Sequence, residues 1–329
     1  MSDKNIERIG LLTSGGDAPG MNACIRAVVR ASIYYGKKPY GIRKGYQGLI
    51  ENSLYEMDEA SVRHIIHQGG TILKSARCNA FKTKEGRKKA WETIKKNKLD
   101  ALIVIGGDGT FKGALALTSE YDIPVIGIPG TIDNDIKGTD NTIGFDTATN
   151  TVVQAVDKIR DTATSHNRLF FIEVMGRDAG DIALNSGIAA GAEEILIPEK
   201  DMGIQRLFKS LERTSKRNKR SRLVLVAEGE AIENVYELEK QVREEFGDYY
   251  ETKVTVLGHV QRGGRPTCVD RVLASRLGVS AVETINDGKR NVMLGIQNNK
   301  IHYTDFKEAI KQHSDIDEEL LHVADVVSI

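Results

Sequence analysis

Short apolar runs alternate with longer stretches of helical periodicity along this chain. In the first half, we predict strands at Ile9–Thr13, Ala101–Ile105 and Val125–Ile128. Helical patterns follow the first two strands, over 21–35 and 111–118. Strands that alternate with helices predict βαβ units and a mostly parallel sheet. Since ligands bind at the carboxyl ends of the strands in such sheets, we expect the loops after these three strands to converge on one site.

The second half repeats this alternation with different residues after the strands. Strand-like runs lie at 169–174, 223–227 and 254–257. In the first half the strands end in loops rich in Gly and Asp, whereas these runs are followed by Arg, Glu and His. Cationic and polar side chains of this kind suit an anionic, hydroxylated ligand. The pattern therefore predicts one half for polyphosphate and metal, and the other half for a phosphorylated substrate.

Length and composition narrow the function classes. A chain of 329 residues fits two domains better than one core. With 46 basic and 46 acidic residues the formal net charge is +0, whereas nucleic-acid and membrane-surface binders usually lean basic. No apolar stretch reaches membrane-spanning length, and Cys24, Cys78 and Cys268 are widely spaced and form no zinc pattern. We expect a soluble, cytoplasmic protein with reduced thiols and with no nucleic-acid or membrane partner.

The loop after the second predicted strand, Gly106–Thr110, has the composition of a phosphate-binding turn. Glycines let backbone N–H groups approach phosphate oxygens, and the following helix adds the positive end of its dipole. Asp108 is then placed to hold a magnesium ion on the phosphates. The spacing matches neither a Walker A loop nor a Rossmann fingerprint. A Gly-Gly turn alone is weak support, because tight turns also need glycine for structural reasons.

The loop after the third predicted strand places two carboxylates beside a hydroxyl. Asp133 and Asp135 lie two residues apart, and Thr131 precedes them. One carboxylate can serve as the base for an attacking hydroxyl while the other helps to hold the metal. The alternative is an Asx-turn with solvated acids. With the preceding loop, this pattern favours phosphoryl transfer from a nucleotide to a small acceptor that bears a hydroxyl.

Five motifs follow one another along most of the chain: Leu12–Asn22, Gly106–Thr110, Pro129–Asp135, Glu173–Arg177 and Gly258–Gly264. Together they resemble the motifs of the bacterial ATP-dependent 6-phosphofructokinases, the phosphofructokinase A family. The resemblance implies two three-layer αβα domains with mostly parallel sheets and an active site in the cleft between them. It also implies the domain bounds, with 1–144 and 262–312 forming a larger nucleotide-binding domain. Residues 145–261 and 313–329 then form a smaller sugar-phosphate-binding domain.

The resemblance further implies a reaction and a role for each motif residue. The γ-phosphoryl group of MgATP moves to the 1-hydroxyl of fructose 6-phosphate, giving fructose 1,6-bisphosphate and ADP in glycolysis. Asp133 is the implied general base, Thr131 and Asp135 assist at the transferring group, and Arg77 and Arg177 neutralise charge. The implied nucleotide-binding residues are Gly16, Arg77, Cys78, Gly107, Asp108, Gly109 and Thr110, with Asp108 as the Mg²⁺ ligand. The implied sugar-phosphate-binding residues are Thr131, Ile132, Asp133, Arg168, Met175, Gly176, Arg177, Glu228, Lys253, His259 and Arg262.

The family's members are tetramers, so the resemblance also implies a homotetramer. In the family, the cations that match Arg168 and Lys253 reach the substrate of a neighbouring subunit. Lys253 departs from the family pattern, which commonly has arginine there. Lysine keeps the charge but loses the bidentate fork, so the affinity for sugar phosphate should be lower.

The phosphoryl donor is indicated by two glycines. Relatives that use pyrophosphate carry aspartate at the position of Gly109 and lysine at that of Gly130. Both positions are glycine in this chain, which favours ATP as the donor.

The family's effector site, where ADP activates and phosphoenolpyruvate inhibits, is matched only in part. The matching and neighbouring residues are Arg26, Arg30, Arg160, Glu193, Lys219 and Arg220. Glu59, Arg63 and His64 replace the expected arginine, serine and aspartate. An acid where a phosphate should bind is repulsive at close range, so regulation by these effectors stays open.

Three alternatives to this function remain. A related kinase acting on another donor or acceptor, such as pyrophosphate or tagatose 6-phosphate, is the first. A lipid or NAD kinase is the second, because these also use Gly-Gly-Asp-Gly-Thr, although they lack the motifs at 173–177 and 258–264. A catalytically inactive relative that senses sugar phosphate is the third. The presence of Asp108, Asp133 and Asp135 argues against it.

Overall fold

The computed structural model describes residues 6–165, 168–199, 203–215, 222–229, 234–311 and 316–328. The strands within these residues are β1 (Arg8–Thr13), β2 (Lys38–Ile42), β3 (Leu54–Glu56), β4 (Ala101–Gly106), β5 (Val125–Pro129), β6 (Arg168–Val174), β7 (Glu194–Leu196), β8 (Arg222–Ala227), β9 (Glu251–Val256), β10 (Val292–Gln297) and β11 (Lys300–Asp305). The helices are α1 (Met21–Tyr34), α2 (Gly45–Glu51), α3 (Lys84–Lys96), α4 (Asp108–Glu120), α5 (Phe145–Ser165), α6 (Asp181–Ala190), α7 (Gly203–Ser215), α8 (Val235–Phe246), α9 (Cys268–Asn286), α10 (Phe306–Ala309) and α11 (Glu318–Val327). Short 3₁₀ helices lie at Ala80–Lys82 and Gly258–Arg262. None of the helices in this described part of the chain is long and apolar enough to cross a membrane.

The contacts within the chain divide it into two compact units. The larger comprises Met1–Thr147 and Arg262–His313, and the smaller comprises Ala148–Gln261 and Ser314–Ile329. The larger unit has a seven-stranded sheet and the smaller unit a four-stranded sheet. One sheet is parallel throughout, the other is mostly parallel, and helices connect the parallel strands along the chain. The predicted α/β class is therefore confirmed.

The sheet of the larger unit has the strand order β11-β10-β5-β4-β1-β2-β3. Its inner strands are parallel, while β3 and β11 lie antiparallel at the two edges. Every residue of β4 and β5 is buried, as is typical of parallel strands covered on both faces. Continuous apolar sequence therefore predicted these two strands correctly. Strand β2 was missed because Lys38-Pro39-Tyr40-Gly41-Ile42 contains no such run.

Helices cover both faces of this sheet. Helices α1 and α9 pack against each other and against strands of one face. Helices α2, α3, α4 and α10 share an apolar cluster on the other face. In that cluster the ring centroids of Phe111 and Phe306 lie 5.7 Å apart, and those of Tyr46 and Phe81 lie 4.0 Å apart. The larger unit thus has the three layers that the resemblance implied.

The sheet of the smaller unit has the order β7-β8-β6-β9 and is parallel throughout. Every residue of β8 is buried, whereas β9, at the sheet edge, is partly exposed. Strand β9 begins at Glu251, three residues before the predicted run. The early part of the strand is polar because an edge strand can turn these side chains to solvent.

Candidate active site

The loops that follow β1, β4 and β5 converge, as the sequence predicted. The amide of Ser14 donates to the carbonyl oxygen of Ile105 at 3.0 Å, and the amide of Gly130 donates to that of Gly106 at 3.0 Å. The Thr110 hydroxyl donates to the carbonyl oxygen of Ser14 at 3.2 Å. These contacts follow from the order of the strands, since β4 lies between β1 and β5. Three predicted phosphate-site loops thereby meet at one edge of the sheet.

The glycine-rich loop after β4 is shorter than predicted, because helix α4 already begins at Asp108 and not at residue 111. Gly107 is the N-cap, so Asp108, Gly109 and Thr110 form the first turn, where backbone N–H groups have no partner inside the helix. A Cβ atom at Gly109 would meet nothing within 4 Å. An acidic first turn with open space beside it suits a phosphate that brings its own metal ion.

Asp133 is buried beside a hydroxyl in the loop after β5, with only 7% of its surface exposed. The Thr131 hydroxyl donates to Asp133 Oδ2 at 3.2 Å, and Thr131 Oγ1 accepts from the Asp133 amide at 3.2 Å. Asp135 is partly exposed. The side chain of Ile132 is fully buried, so only its backbone is free to meet a ligand. The loop therefore presents one shielded and one accessible carboxylate rather than two solvated acids.

Asn134 and Thr142 hold this loop in its shape. Asn134 has a left-handed backbone with φ 56°, and its Oδ1 accepts from the Thr142 amide at 2.9 Å. The Thr142 hydroxyl donates to the carbonyl oxygen of Thr131 at 2.6 Å. Both ends of the turn that carries Asp133 are thus fixed by side-chain hydrogen bonds.

Arg262 lies against two of the other predicted site residues. Its Nη2 is 3.9 Å from Asp133 Oδ1, and its Nη1 donates to the carbonyl oxygen of Asp17 at 3.4 Å. A Cβ atom at Gly16 would come within 2.7 Å of Nη1. The structure therefore brings Gly16, Arg262 and Asp133 together within the larger unit, although Arg262 follows Gly16 by 246 positions and Asp133 by 129.

The segment that carries Arg77 and Cys78 is anchored from a distance. Arg77 is exposed, and the Cys78 thiol donates to Gln47 Oε1 at 2.9 Å. Upstream, the Asn22 amide donates to the carbonyl oxygens of Gln68 and Gly69, at 3.2 and 3.0 Å. Asn22 Oδ1 also accepts from the Ile72 amide at 2.8 Å. One buried side chain on α1 thus holds three backbone groups of the loop that leads to Arg77.

Asp270, in the first turn of α9, holds the start of α5. Its buried carboxylate accepts from the amides of Gly144 and Thr147, at 2.8 Å each, and from the Thr147 hydroxyl. Burial raises the pKa of Asp270, and the hydrogen bonds from Thr147 and Gly144 partly offset that rise. Thr267 caps α9 and donates to Asp146 in the first turn of α5. The two helix N-termini are therefore tied to each other where the loop from β5 ends.

In the smaller unit, the carboxyl ends of β6, β8 and β9 form a second group. Glu228 Oε1 accepts from the amides of Gly176 and Arg177, at 3.4 and 3.1 Å. Gln261 Oε1 accepts from the Met175 amide at 3.2 Å. Arg177 is exposed and has φ 61°, a left-handed backbone conformation that is strained for any residue other than glycine. This unit thus brings Met175, Gly176, Arg177 and Glu228 together.

Two further features belong to this group. His259 is exposed, within the 3₁₀ helix that follows β9. Burial, followed by the nearby Glu228 carboxylate, raises the pKa of Glu173 near the end of β6. This edge of the smaller unit therefore combines two exposed side chains, Arg177 and His259, with two neighbouring acids, Glu173 and Glu228.

Arg168 and Lys253 do not join this group. Glu251 Oε2 accepts from Arg168 Nε at 3.0 Å, and its Oε1 lies 2.8 Å from Lys253 Nζ. Hydrogen bonds from Lys253 and Arg168 lower the pKa of Glu251 to about 2. Arg168 begins β6, whereas Met175 follows its last residue, so the two lie about 20 Å apart at 3.3 Å per strand residue. Within the smaller unit, these cations therefore lie towards the opposite end of the sheet from Met175, Gly176, Arg177 and Glu228.

Of the predicted effector residues, Arg26 and Arg30 belong to the larger unit, and Arg160 and Glu193 belong to the smaller unit. Arg26 and Arg30 lie one turn apart on α1, and burial, then the charge of Arg30, lowers the pKa of Arg26. Arg160 Nη2 donates to the carbonyl oxygens of Ala190 and Gly191, at the end of α6.

Glu193 Oε2 accepts from the Leu223 amide at 2.8 Å. Glu59, Arg63 and His64 are exposed in an irregular segment of the larger unit. Lys219 and Arg220 lie outside the described residues.

The sequence reasoning missed the residues that support the site. Asp270 sits in the pattern Thr267-Cys268-Val269-Asp270, the spacing of a capping box, but the partner of its carboxylate lies on another helix. Lys112 follows Asp108 by four residues, which is helical salt-bridge spacing. Asn22 ends the motif Leu12–Asn22, but its sequence context indicated no role for it. Only the first two carried a local signal that could have found them.

Comparison with known proteins shows the family to which this chain is similar. The family model described as phosphofructokinase matches residues 8–285. An ATP-dependent 6-phosphofructokinase of Clostridioides difficile is 55% identical over 324 residues, which is 98% of this chain and 100% of that protein. One from Halalkalibacterium halodurans is 54% identical, with 98% of this chain and 100% of that protein covered. The crystal structure of Pichia pastoris phosphofructokinase in the T-state matches with a TM-score of 0.87 at 37% identity, covering 98% of this chain and 36% of that one.

Proposed function

The chain belongs to the phosphofructokinase family, and we propose that it transfers the γ-phosphoryl group of ATP to the 1-hydroxyl of fructose 6-phosphate. The products are fructose 1,6-bisphosphate and ADP. The observation that carries this proposal is the buried Asp133 carboxylate, hydrogen-bonded to Thr131 and 3.9 Å from the Arg262 guanidinium. It lies beside a glycine-rich helix N-terminus of the kind that binds phosphate.

Asp108 is the proposed ligand of a magnesium ion that ATP brings with it. Its carboxylate lies in the first turn of α4 and is 26% exposed. A single accessible carboxylate fits magnesium, which usually binds one or two carboxylates together with substrate phosphates. When bound, the ion neutralises charge on the phosphate oxygens.

Asp133 is the proposed general base. Its position next to the Thr131 hydroxyl fixes the orientation of the carboxylate, and its burial keeps competing water away. It accepts the proton of the 1-hydroxyl as that oxygen attacks phosphorus. Arg77 and Arg177 are the proposed cations that offset charge on the transferring group, with Thr131 and Asp135 assisting. Phosphoryl transfer depends mainly on such positioning and charge neutralisation.

The nucleotide and the sugar phosphate are assigned to different parts of the chain. We assign the nucleotide to residues 1–144 with 262–312, where the converging loops with Gly16, Gly107 and Thr110 support the choice. Sugar phosphate is assigned to residues 145–261 with 313–329, together with Arg262. There the proposed contacts come from Met175, Gly176, Arg177, Glu228 and His259.

The proposal includes a homotetramer in which Arg168 and Lys253 serve a neighbouring subunit. Arg168 lies about 20 Å from Met175 along β6, and Lys253, which pairs with Phe170, lies about 17 Å from it in the same direction. This supports the proposal, because both cations are too distant to contact a ligand held at Met175. Effector binding by Arg26, Arg30, Arg160 and Glu193 remains a prediction. The proposed location is the cytoplasm, since all three cysteines are free thiols.

ATP is the proposed donor, because two glycines leave the nucleotide site clear. A Cβ atom at Gly109 would meet nothing, so the space beside this backbone is open. A Cβ atom at Gly130 would lie 3.0 Å from Ile105 and 3.2 Å from Met21, so a side chain there would need local repacking. The absence of both side chains supports a nucleotide rather than pyrophosphate.

The test is steady-state phosphorylation of fructose 6-phosphate with MgATP and, in parallel, with magnesium pyrophosphate. Replacing Asp133 by asparagine should lower kcat by about 10² to 10⁴-fold, the usual contribution of a positioned base. The KM values should change little. The matched control is Asp122→Asn, an exposed acid whose side chain is 89% accessible, and it should leave both constants unchanged.

Near-normal turnover by the Asp133→Asn enzyme would overturn the assignment of the base. Activity with pyrophosphate alone would overturn the donor. A wild-type protein that binds fructose 6-phosphate but turns over neither donor would instead support a sugar-phosphate sensor.

A further inference from the structure

Lys112, which the sequence reasoning gave no role, lies against the proposed metal ligand. Its Nζ is 2.8 Å from Asp108 Oδ2, and the two residues are one helical turn apart on α4. The Lys112 side chain is 57% exposed and that of Asp108 is 26% exposed. The ammonium group therefore sits at the mouth of the phosphate loop, with solvent around it.

This contact engages a carboxylate that magnesium would use. Magnesium–oxygen distances are about 2.1 Å, so a phosphate oxygen that shares the ion lies within about 4 Å of the carboxylate oxygen. The Lys112 ammonium is 2.8 Å from Asp108 Oδ2, so it lies within one side-chain rotation of such a phosphate. An exposed pair at i,i+4 spacing is weak and exchanges partners readily.

We propose that Lys112 is a further nucleotide-binding residue, which neutralises Asp108 in the metal-free protein and binds a phosphate oxygen once the metal occupies that carboxylate. The inference rests on the proposed function of Asp108. It predicts that Lys112 and the metal ion compete for the Asp108 carboxylate. It also predicts that, once the metal is bound there, both contact the same phosphate group.

A second pair on the chain serves as a control for an ordinary surface contact. Lys89 Nζ lies 3.8 Å from Glu85 Oε1 on α3, also at i,i+4 spacing, and Lys89 is 57% exposed like Lys112. Glu85 stands in the first turn of its helix, as Asp108 does. The difference is that α3 follows no strand end and no glycine-rich loop. A lysine that acts only through helix electrostatics would therefore behave alike in both places.

The experiment measures binding of adenylyl imidodiphosphate, a slowly hydrolysed ATP analogue, by calorimetry, with EDTA and with saturating Mn²⁺. Lys112→Met keeps the length of the side chain and removes its charge. Affinity for the analogue should fall by about fivefold, the effect of two unit charges about 4 Å apart in water. With EDTA the fall arises because Asp108 is no longer neutralised, and with saturating Mn²⁺ because a phosphate oxygen loses its cation. Affinity of the analogue-bound protein for Mn²⁺, followed by the paramagnetic resonance of free Mn²⁺, should rise by about the same factor. Lys89→Met should change neither, and Lys112→Arg should retain affinity for the metal-free analogue.

The outcomes separate this inference from the proposed function. If Asp108→Asn weakens Mn²⁺ binding but Lys112→Met behaves like Lys89→Met, Lys112 is a surface residue and the inference is wrong. If Asp108→Asn leaves Mn²⁺ binding unchanged, the metal role of Asp108 is wrong, and the inference falls with it. Opposite shifts in the two affinities on Lys112→Met, with a Lys89→Met protein unchanged, establish the role of Lys112.

Discussion

Replacing Asp270 by asparagine perturbs the support of the catalytic loop without touching a proposed ligand. The Asp270 carboxylate is fully buried and accepts from the amides of Gly144 and Thr147, at 2.8 Å each, and from the Thr147 hydroxyl. Asparagine has one acceptor oxygen and turns its NH₂ group towards at least one of these donors. A buried donor without an acceptor costs about 1 to 3 kcal/mol. Because the charge-assisted hydrogen bonds also weaken, we expect a total loss of about 2 to 4 kcal/mol in the free energy of unfolding.

Thermal unfolding and hydrogen exchange measure this effect. For 150 to 250 residues, each kcal/mol lowers Tm by about 2 to 4 °C, so Tm should fall by about 5 to 15 °C. Exchange of the Gly144 and Thr147 amides should accelerate, because their acceptor has changed. Asp270→Ala removes all three hydrogen bonds and should destabilise further. The control is Asp287→Asn at the other end of α9, an exposed residue whose replacement should change stability by no more than about 0.5 kcal/mol.

A Tm for Asp270→Asn that matches the Asp287→Asn control would refute the reasoning. So would unchanged exchange at Gly144, because the start of α5 would then be held by other groups. A lower Tm with normal exchange at both amides would place the effect elsewhere in the larger unit.

Two other predictions concern segments that lead to the site. Asn22→Ala should loosen residues 68–77, because three backbone groups lose their hydrogen-bond partner, at a cost of about 1 kcal/mol each. Limited proteolysis should then cut within this segment. The KM for ATP should rise by a larger factor than that by which kcat falls. Resistance equal to that of the wild type would contradict this. Arg87→Met should cost about 1 to 3 kcal/mol in urea unfolding, because the carbonyl oxygens of Phe81 and Lys82 lose their donor and Glu120 loses its partner at 2.6 Å. Adding Glu120→Gln should restore part of that loss, and a double variant no more stable than the single one would show that the pair is not the cause.

The sequence predicted the central strands well because the physical reason for each is local. The runs at 101–105 and 125–128 are continuously apolar, and the corresponding strands β4 and β5 are buried throughout. Edge strands such as β3 and β11 were missed, since a strand with one free side needs no continuous apolar run. Helix α4 starts three residues before its predicted beginning, because a glycine-rich loop does not by itself mark which residue is the N-cap.

The sequence by itself determined the family and the three loops of the proposed phosphate site, because these are encoded in short contiguous motifs. It also determined the α/β class, because strand-like runs alternate with helical patterns along the chain. Only the tertiary structure decided which distant side chains support these loops. Asp270 accepts a hydrogen bond from the amide of Gly144, which lies 126 residues earlier in the chain. Glu251 accepts one from Arg168, which lies 83 residues earlier. Such pairs depend on how strands and helices pack against each other, and residue spacing along the chain carries no record of that packing. Arg262 beside Asp133 is the clearest case, because their 3.9 Å separation exists only once the segment after residue 261 returns to the larger unit.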